Sequence, residues 1–229
     1  MSLLLQIFFK RGTMKRFLDI VVSTVMIILL SPLLLLIYIM IETTSRGPAL
    51  FKQVRMGKDN KEFNIYKFRT MKINTPNIAT NDFHDADKYI TKVGKLLRKT
   101  SLDELPQLFN IFEGTMSFVG PRPIIIEEQE VIKMRTLCGV HKIKPGLTGW
   151  AQVNGRDSIS NEEKVKLDYD YMQNMGFFMD AKIIFLTAFK VFKQADIREP
   201  NNSEVVGLPE ADDFDKTPLQ ETRPIIKAK

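Results

Sequence analysis

Two adjacent carboxylates, Asp103 and Glu104, stand out in the stretch SLDELP of this 229-residue sequence. Pro106 follows two residues later, and proline is tolerated only in the first turn of a helix. A helix over LPQLFNIF is therefore predicted to begin between about Ser101 and Leu105. Its dipole favours ionised carboxylates at that end. Such a carboxylate can attack phosphorus or bind Mg²⁺, whereas two side chains about 100° apart cannot straddle a sugar as glycosidase carboxylates must.

A structural interpretation of the same stretch competes with the chemical one. Ser101 and Glu104 have the spacing of a capping box, in which the two side chains satisfy free N–H groups at a helix start. Acidic residues in a first turn also complement the helix dipole. Taken alone, the spacing favours this structural interpretation.

Cationic side chains recur at constrained positions around the acidic pair. Arg122 is held between two prolines in GPRP, and the glycine-rich stretch KPGLTGWAQVNGR offers backbone N–H groups that could also face phosphate. Taken singly, each cation is predicted to be a solvated surface charge. As a set they indicate a pyrophosphate site. The set comprises Lys67, Arg98, Arg122, Lys144 and Arg156.

Composition narrows the classes of site and partner. The single cysteine, Cys138, excludes an internal disulfide, and two distant histidines without cysteine partners argue against zinc. The net charge is +6, but residues 195–229 carry eight acidic and five basic residues, so the preceding part is strongly basic. A basic body suits nucleic acid, an anionic membrane surface or phosphorylated small molecules.

One apolar segment points to the membrane rather than to nucleic acid. Residues 17–41 contain a single charge, Asp19, and as a straight helix would reach roughly 38 Å, enough to cross a bilayer. Ser31-Pro32 interrupts the segment, and basic clusters flank it on both sides. A straight span would place one cluster outside, against the positive-inside rule. A re-entrant helical hairpin broken at Ser31 and Pro32 is therefore favoured, and a kinked span is the alternative.

The rest of the sequence predicts an α+β fold. We expect a mainly helical, membrane-associated domain with a small β-hairpin over residues 49–69 and a polar, mobile loop over 72–92. Helices are predicted over 92–112 with an interruption near Ser101, over 124–138 and over 161–175. Asp180 is predicted to cap an amphipathic helix at the membrane interface. The predicted organisation is a membrane-inserted region 1–45, a catalytic domain 46–194, and an acidic, poorly structured tail 195–229.

The motifs of this sequence resemble those of a known protein family. The motifs KFRTM at 67–71, LRKTSLDELPQLFNIFEGTMSFVGPRP at 97–123 and KPGLTGWAQVNGR at 144–156 occur in the order found in bacterial sugar transferases. These are the monotopic phosphoglycosyl transferases. The KRFLDI start and the Ser-Pro apolar segment match as well. The resemblance covers about residues 14–194 and is strongest to the short, bacillosamine-phosphate type.

The resemblance implies a reaction and roles for residues. A sugar-1-phosphate would pass from a UDP-sugar to undecaprenyl phosphate, with release of UMP and a requirement for Mg²⁺. Asp103 would be the nucleophile that forms a covalent phosphosugar intermediate, and Glu104 would support it or help bind the metal. Lys67, Arg98, Arg122 and Arg156 match positions around the phosphates. Asp168 matches an acidic position whose individual role is unassigned, and it is counted with the predicted substrate-binding residues. Lys144, in the same set, replaces an arginine usual in the family.

The resemblance also implies a cellular setting. The protein would lie at the cytoplasmic face of the bacterial inner membrane and catalyse the first membrane step in assembling a glycoconjugate such as O-antigen, capsule or exopolysaccharide. A UDP-linked N-acetylated or deoxyamino hexose is the expected donor, with UDP-glucose and UDP-galactose open. A homodimer and contacts with downstream glycosyltransferases are compatible with it, and no nucleic-acid partner is expected.

Two other function classes compete. A non-enzymatic, basic protein of the membrane surface explains the charge and the apolar segment, but not the clamped Arg122 or the acidic pair beside arginines. A phosphotransferase acting on a CDP-activated alcohol needs several spanning helices, whereas this sequence has one apolar segment.

Overall fold

The computed structural model describes residues 11–73, 75, 86–155 and 158–193. The predicted tail 195–229, Arg156 and most of the predicted loop 72–92 lie outside the described residues. The helices are α1 (Arg11–Thr44), α2 (Ala86–Tyr89), α3 (Lys92–Thr100), α4 (Gln107–Glu113), α5 (Gln129–Leu137), α6 (Trp150–Asn154), α7 (Asn161–Asn174) and α8 (Phe177–Lys193). The strands are β1 (Leu50–Met56), β2 (Glu62–Phe68), β3 (Ser117–Val119) and β4 (Gly146–Thr148). The predicted α+β class, mostly helical with little sheet, is confirmed.

Helix α1 continues through the predicted break at Ser31 and Pro32. Pro32 has no N–H to donate to the carbonyl of Ile28, four residues earlier. The Ser31 hydroxyl donates to that carbonyl instead, at 2.8 Å. A serine hydroxyl thus satisfies the acceptor that proline leaves free, which is one way in which membrane helices tolerate proline. By length and composition, Gly12–Thr44 is apolar enough to cross a membrane.

One face of α1 packs along the body of the protein. Met26, Ile27 and Leu30 contact a buried cluster that includes Leu108 and Ile111 of α4. Further along, Ile37 and Ile41 pack against Ala49, Phe68 and Leu97. This three- and four-residue spacing places all these side chains on one helix face. Helix α1 therefore belongs to the same compact unit as the rest of the described residues.

The opposite face of α1 leaves large apolar side chains uncovered. Ile28 is 65% exposed and Leu29 is 72% exposed. On α8, Phe178 and Phe185 are likewise exposed. Clusters of exposed, large apolar side chains mark a membrane or protein contact. The geometry therefore agrees with association of this side of the molecule with a bilayer.

The predicted hairpin is confirmed. Strands β1 and β2 pair antiparallel, with Leu50 opposite Phe68 and Met56 opposite Glu62. Asp59 and Asn60 form the turn with positive φ angles of 58° and 55°. Asp and Asn tolerate this left-handed region better than other non-glycine residues. The turn residues therefore suit the backbone that joins the two strands.

The glycine-rich stretch after Lys144 serves a structural purpose. Strands β3 and β4 pair parallel, and a Cβ atom on Gly146 would collide with the backbone of Gly120. The Gly146 amide donates to Pro121 O at 2.9 Å, and the Gly120 amide donates to Thr148 O at 2.9 Å. Both N–H groups are therefore used by the fold. Of the two, only Gly146 belongs to the glycine-rich stretch, and for its N–H the expectation of a phosphate contact is wrong.

Three helices differ from prediction. Helix α5 begins at Gln129 rather than near residue 124, and α6 was not predicted. Helix α8 begins at Phe177, so Asp180 lies in its first turn and is not its cap. The Asp180 carboxylate instead pairs with Lys15 of α1 and accepts a hydrogen bond from Tyr171. A distant cation thus takes the carboxylate that local sequence assigned to a helix start.

Candidate active site

The acidic pair lies on a short turn that precedes a helix. Residues Leu102–Glu104 form one 3-10 turn, and α4 begins only at Gln107, with Pro106 at its N-cap. Ser101 has a left-handed backbone, φ 56°, and its N–H donates to carbonyls of α3. Ser101 therefore ends α3 rather than starting α4. Its side chain makes no capping hydrogen bond, so both the capping box and the predicted helix start are wrong.

Glu104 draws cations from two separate elements. Lys67 Nζ, at the end of β2, lies 2.9 Å from Glu104 Oε1. Arg122 Nη2, in the turn after β3, lies 3.8 Å from the same oxygen. The side chains of Glu104 and Lys67 are 18% and 19% exposed, whereas Arg122 is 38% exposed. The Glu104 carboxylate is thus fixed by the short contact with the mostly buried Lys67, and its contact with the more exposed Arg122 is looser.

Asp103 sits in a less favourable environment for its charge. Burial raises the pKa of the Asp103 carboxyl above its usual range, and the neighbouring charge of Glu104 raises it further. The charges of Lys67 and Arg98 act in the opposite direction. The prediction that the helix dipole holds Asp103 ionised is therefore not supported, because the carboxylate precedes the helix and burial dominates.

Arg98 is positioned beside Asp103 by a neighbouring strand end. Its Nε donates to Thr70 Oγ1 at 2.9 Å, and Thr70 is buried two residues after β2. The backbone carbonyl of Thr70 accepts a hydrogen bond from the amide of Thr91, just before α3. A threonine in the KFRTM motif therefore orients a candidate phosphate ligand, a role that sequence reasoning missed.

Arg122 is supported from behind by a buried ion pair. Arg135 of α5 donates from Nη1 to the backbone oxygen of Arg122 at 2.8 Å. Its Nη2 donates to Asp168 Oδ2 at 2.6 Å. Asp168 is 1% exposed. The structure therefore places Asp168, a predicted substrate ligand, behind the Arg122 turn, and it reveals Arg135 as the connecting residue.

Lys144 lies apart from the acidic pair. Its pKa is lowered by burial and then by the charge of Arg16, while Asp19 opposes the shift. Asp19 itself accepts hydrogen bonds from Ser117 Oγ and the Phe118 amide at the start of β3. Lys144 therefore belongs to the junction between α1 and β3. Arg156, the remaining predicted cation, lies outside the described residues.

Arg55 is a further cation that sequence reasoning did not assign to the site. Burial and the like charge of Arg122 lower the pKa of its guanidinium to about 10, and the charges of Glu128, Glu127 and Glu104 act in the opposite direction. In the hairpin, Arg55 lies opposite Phe63 and Lys67 lies opposite Phe51. Strand alternation therefore places Arg55 and Lys67 on one face. That alternation, applied to the predicted hairpin, could have identified Arg55.

An apolar groove of about 900 Å³ reaches Glu104 of the acidic pair. One wall is formed by Leu18, Val22 and Met26 of α1, and the other includes Ile184 and Val191 of α8. Glu104, Arg122, Ser101 and Lys99 line the same groove. The site thus combines two carboxylates and several cations with a long apolar channel beside the exposed membrane-type surface, which suits a ligand with a charged head and an apolar chain.

A metal ion would have few protein ligands here. Among the described residues, no group of three or more His, Cys, Asp or Glu side chains converges. Mg²⁺ typically keeps several waters and binds one or two carboxylates together with substrate phosphates. The Asp103–Glu104 pair fits such a site when a phosphorylated substrate supplies the remaining oxygens.

Comparison with known proteins identifies relatives of this chain. A UDP-glucose:undecaprenyl-phosphate glucose-1-phosphate transferase of Klebsiella pneumoniae is 45% identical over 78% of this chain and 40% of its own length. A UDP-N-acetylgalactosamine-undecaprenyl-phosphate N-acetylgalactosaminephosphotransferase of Aeromonas hydrophila is 38% identical over 76% of this chain and 42% of its own length. The chain thus spans about two fifths of these relatives.

A shorter relative is matched over almost its whole length. The uncharacterized sugar transferase EpsL of Bacillus subtilis is 38% identical over 82% of this chain and 92% of its own length. The sequence model of the bacterial sugar transferase family matches residues 10–194. That range contains the acidic turn, the cations around it and both walls of the groove. The chain belongs to the bacterial sugar transferase family.

Proposed function

We propose that this protein transfers a sugar-1-phosphate from a UDP-sugar to undecaprenyl phosphate and releases UMP. The observation that carries the proposal is the acidic turn at the head of the apolar groove. Asp103 and Glu104 meet Lys67, Arg98 and Arg122 at this turn, and two members of the cluster, Glu104 and Arg122, line the groove that an apolar chain can enter. Relatives named for this reaction support it.

The reaction proceeds in two displacements at one phosphorus. A carboxylate oxygen of Asp103 attacks the phosphorus that bears the sugar, and the bond from that phosphorus to the bridging oxygen breaks, so UMP leaves with that oxygen and the electron pair. A phosphate oxygen of the acceptor then attacks the same phosphorus and releases the Asp103 carboxylate. Lys67, Arg98 and Arg122 stabilise the charge on the phosphoryl oxygens in both steps.

Glu104 and the cation cluster prepare the site for these steps. Glu104 lies beside Asp103, and its negative charge keeps Lys67 and Arg122 near the reacting phosphorus. Mg²⁺, held by Asp103 or Glu104 and by substrate phosphates, would neutralise charge on the diphosphate. Arg98 lies beside Asp103 and lowers the cost of its ionisation.

The assay that tests this proposal measures UMP release. The protein in detergent or nanodiscs is mixed with undecaprenyl phosphate, Mg²⁺ and one UDP-sugar at a time, including UDP-glucose, UDP-galactose and UDP-N-acetylhexosamines. One or more donors are expected to release UMP, and chelation by EDTA is expected to stop release. No UMP from any donor, with the protein folded and bound to membrane, would favour the non-enzymatic membrane-surface alternative.

The pH dependence of the same assay follows from Asp103. The nucleophile must be ionised, and burial raises its pKa above the usual value of 3.8. Activity is therefore lost as pH falls through this raised pKa, so the acidic limb should lie at higher pH than an ordinary aspartate gives. Glu104→Gln removes the neighbouring negative charge that raises the pKa of Asp103, so the acidic limb of the pH profile should move to lower pH. A limb that stays in place in Glu104→Gln would contradict this assignment.

We further propose that α1 is a re-entrant membrane helix at the cytoplasmic face of the inner membrane. The body contacts α1 from Lys15 to Ile41, a length of roughly 39 Å at 1.5 Å per residue. A straight crossing would carry these contacts into the bilayer, whereas a helix that lies in one leaflet keeps both basic ends at one face. Cys138 is replaced by serine, and single cysteines are placed at Gly12 and Lys52. Both should react from the cytoplasmic side, and reaction from opposite sides would show a span.

A further inference from the structure

Arg55 is placed beside Arg122 by a backbone link between two segments. The Met56 amide, next to Arg55, donates to the Ile124 carbonyl at 2.9 Å. Ile124 follows Arg122 by two residues, so the end of β1 lies against the rigid Pro-Arg-Pro turn. Arg55 Nη2 donates to Gln53 Oε1 at 2.7 Å, which orients the guanidinium along the face of β1. The two arginines therefore meet at the edge of the active site.

The charge of Arg55 lacks a close anionic partner. Within the described residues, no carboxylate lies within ion-pair distance of Arg55, and its buried Nε has no hydrogen-bond partner. Its hydrogen-bond partner, Gln53, is neutral. Burial and then the charge of Arg122 lower its pKa, whereas the charges of Glu128, Glu127 and Glu104, which lie in the described part of the chain but outside ion-pair distance, act in the opposite direction. A partly buried cation beside another cation is unfavourable without a counter-ion. An anionic ligand between the two arginines would compensate both the burial of the Arg55 charge and its repulsion by Arg122.

The groove shows which anion is suited to this position. Arg122 and Glu104 line the apolar groove, whereas Arg55, like Asp103, Lys67 and Arg98, is not among the described residues that line it. Arg122 thus lies at the border between the apolar groove and the polar side of the site, to which Arg55 belongs. The acceptor, with its apolar chain, is matched to the groove. The nucleotide of the donor is hydrophilic and is matched to the side of Arg55.

We propose that Arg55 and Arg122 bind the nucleotide-side phosphate of the donor, the phosphate that leaves as UMP. This inference rests on the proposed function. The two linked phosphates of the donor then lie across neighbouring cations, with the sugar-bearing phosphate near Asp103, Lys67 and Arg98. Two guanidinium groups suit a phosphate because each presents donors in a fixed fork. Arg55 is a binding residue for the donor half of the reaction alone.

The kinetic test separates the two substrates. In a two-displacement reaction, kcat/KM for each substrate reports its own half-reaction. Arg55→Gln should lower kcat/KM for the UDP-sugar by about 10- to 100-fold, the loss expected for hydrogen bonds to a charged group. It should leave kcat/KM for undecaprenyl phosphate within about twofold. Arg55→Lys keeps the charge without the fork and should fall between.

A measurement of nucleotide binding tests the role of Arg55 without requiring catalytic turnover. Calorimetry with UMP and with UDP is run on the wild type, on Arg55→Gln and on Lys52→Gln, an exposed cation on the other face of β1. Weaker nucleotide binding only in Arg55→Gln supports the inference even if no UDP-sugar tested gives turnover. Thermal melting without ligand should show equal or higher stability for Arg55→Gln, because an unpaired cation is removed.

Two results would overturn the inference. One is an Arg55→Gln variant that binds UMP and UDP as the wild type does and keeps its kcat/KM for the donor. The other is an equal loss of kcat/KM for donor and acceptor, accompanied by a lower melting temperature, because that pattern indicates structural damage. A wild-type protein that releases no UMP in the assay would count against the proposed function. The comparison of nucleotide binding between wild type and Arg55→Gln would still decide the role of Arg55.

Discussion

Asp103→Asn is expected to reduce UMP release by at least about 10³-fold, because the variant lacks the nucleophile. Incubated with a labelled UDP-sugar and no acceptor, the wild type should acquire sugar-phosphate label on the protein, and the variant should not. Asp59→Asn, a change of the same type in the exposed hairpin turn, is the matched control and should keep activity. Asparagine tolerates the left-handed backbone at that position.

The stability of Asp103→Asn separates a chemical role from a structural one. Burial and Glu104 raise the pKa of Asp103, so the folded state prefers the protonated form more than the unfolded state does. This stabilising contribution is present at low pH and is lost as pH rises through the raised pKa. Asparagine resembles the protonated form, so the variant should melt at an equal or higher temperature than the wild type at pH 7. Normal turnover or normal labelling by the variant would exclude Asp103 as the nucleophile.

Asp168→Asn is expected to destabilise the protein by about 3–5 kcal/mol, the usual cost of removing one partner from a buried ion pair. Arg135 would keep a buried charge, and its hold on the Arg122 carbonyl would weaken. Denaturant unfolding measures the loss. Asp170→Asn, two residues along the same helix and only partly buried, is the control and should change stability little.

A double variant distinguishes support of Arg122 from general stability. Arg135→Met with Asp168→Leu replaces the pair with apolar side chains of similar size, and such replacements often recover stability. The Arg122 carbonyl would still lack its donor, so activity with both substrates should stay low while unfolding approaches that of the wild type. Recovery of full activity would show that the pair only stabilises the core and does not position Arg122.

Local sequence patterns predicted much of the framework. Two strand-like runs on either side of the turn residues Gly57 to Asn60 indicated the hairpin, and the structure confirms it. The helix over 161–175 and the interruption near Ser101 were also predicted correctly. These features depend on side chains and turn residues close in sequence. The family was recognisable for the same reason, because its motifs are continuous stretches.

The errors arose where distant residues decide local structure. Asp180 resembles a helix cap, yet Lys15, from 165 residues earlier in the chain, pairs with its carboxylate, which also accepts a hydrogen bond from Tyr171. The glycines after Lys144 resemble a phosphate loop, yet the approach of Gly120 explains Gly146. Ser101 resembles the start of α4, yet its left-handed backbone ends α3. For Asp180 and Gly146 a tertiary contact used the same atoms differently, whereas for Ser101 the left-handed backbone closed the preceding helix.

The sequence by itself determined the acidic pair, the apolar segment and the cations of the motifs, because residue type and spacing are enough to identify them. Only the tertiary structure decided how they act together. It placed Asp103 where burial opposes its charge, brought Lys67 and Arg122 to Glu104 from separate elements, and put Asp168 behind Arg122 through Arg135. Burial and distance between remote residues depend on packing, which no local pattern specifies.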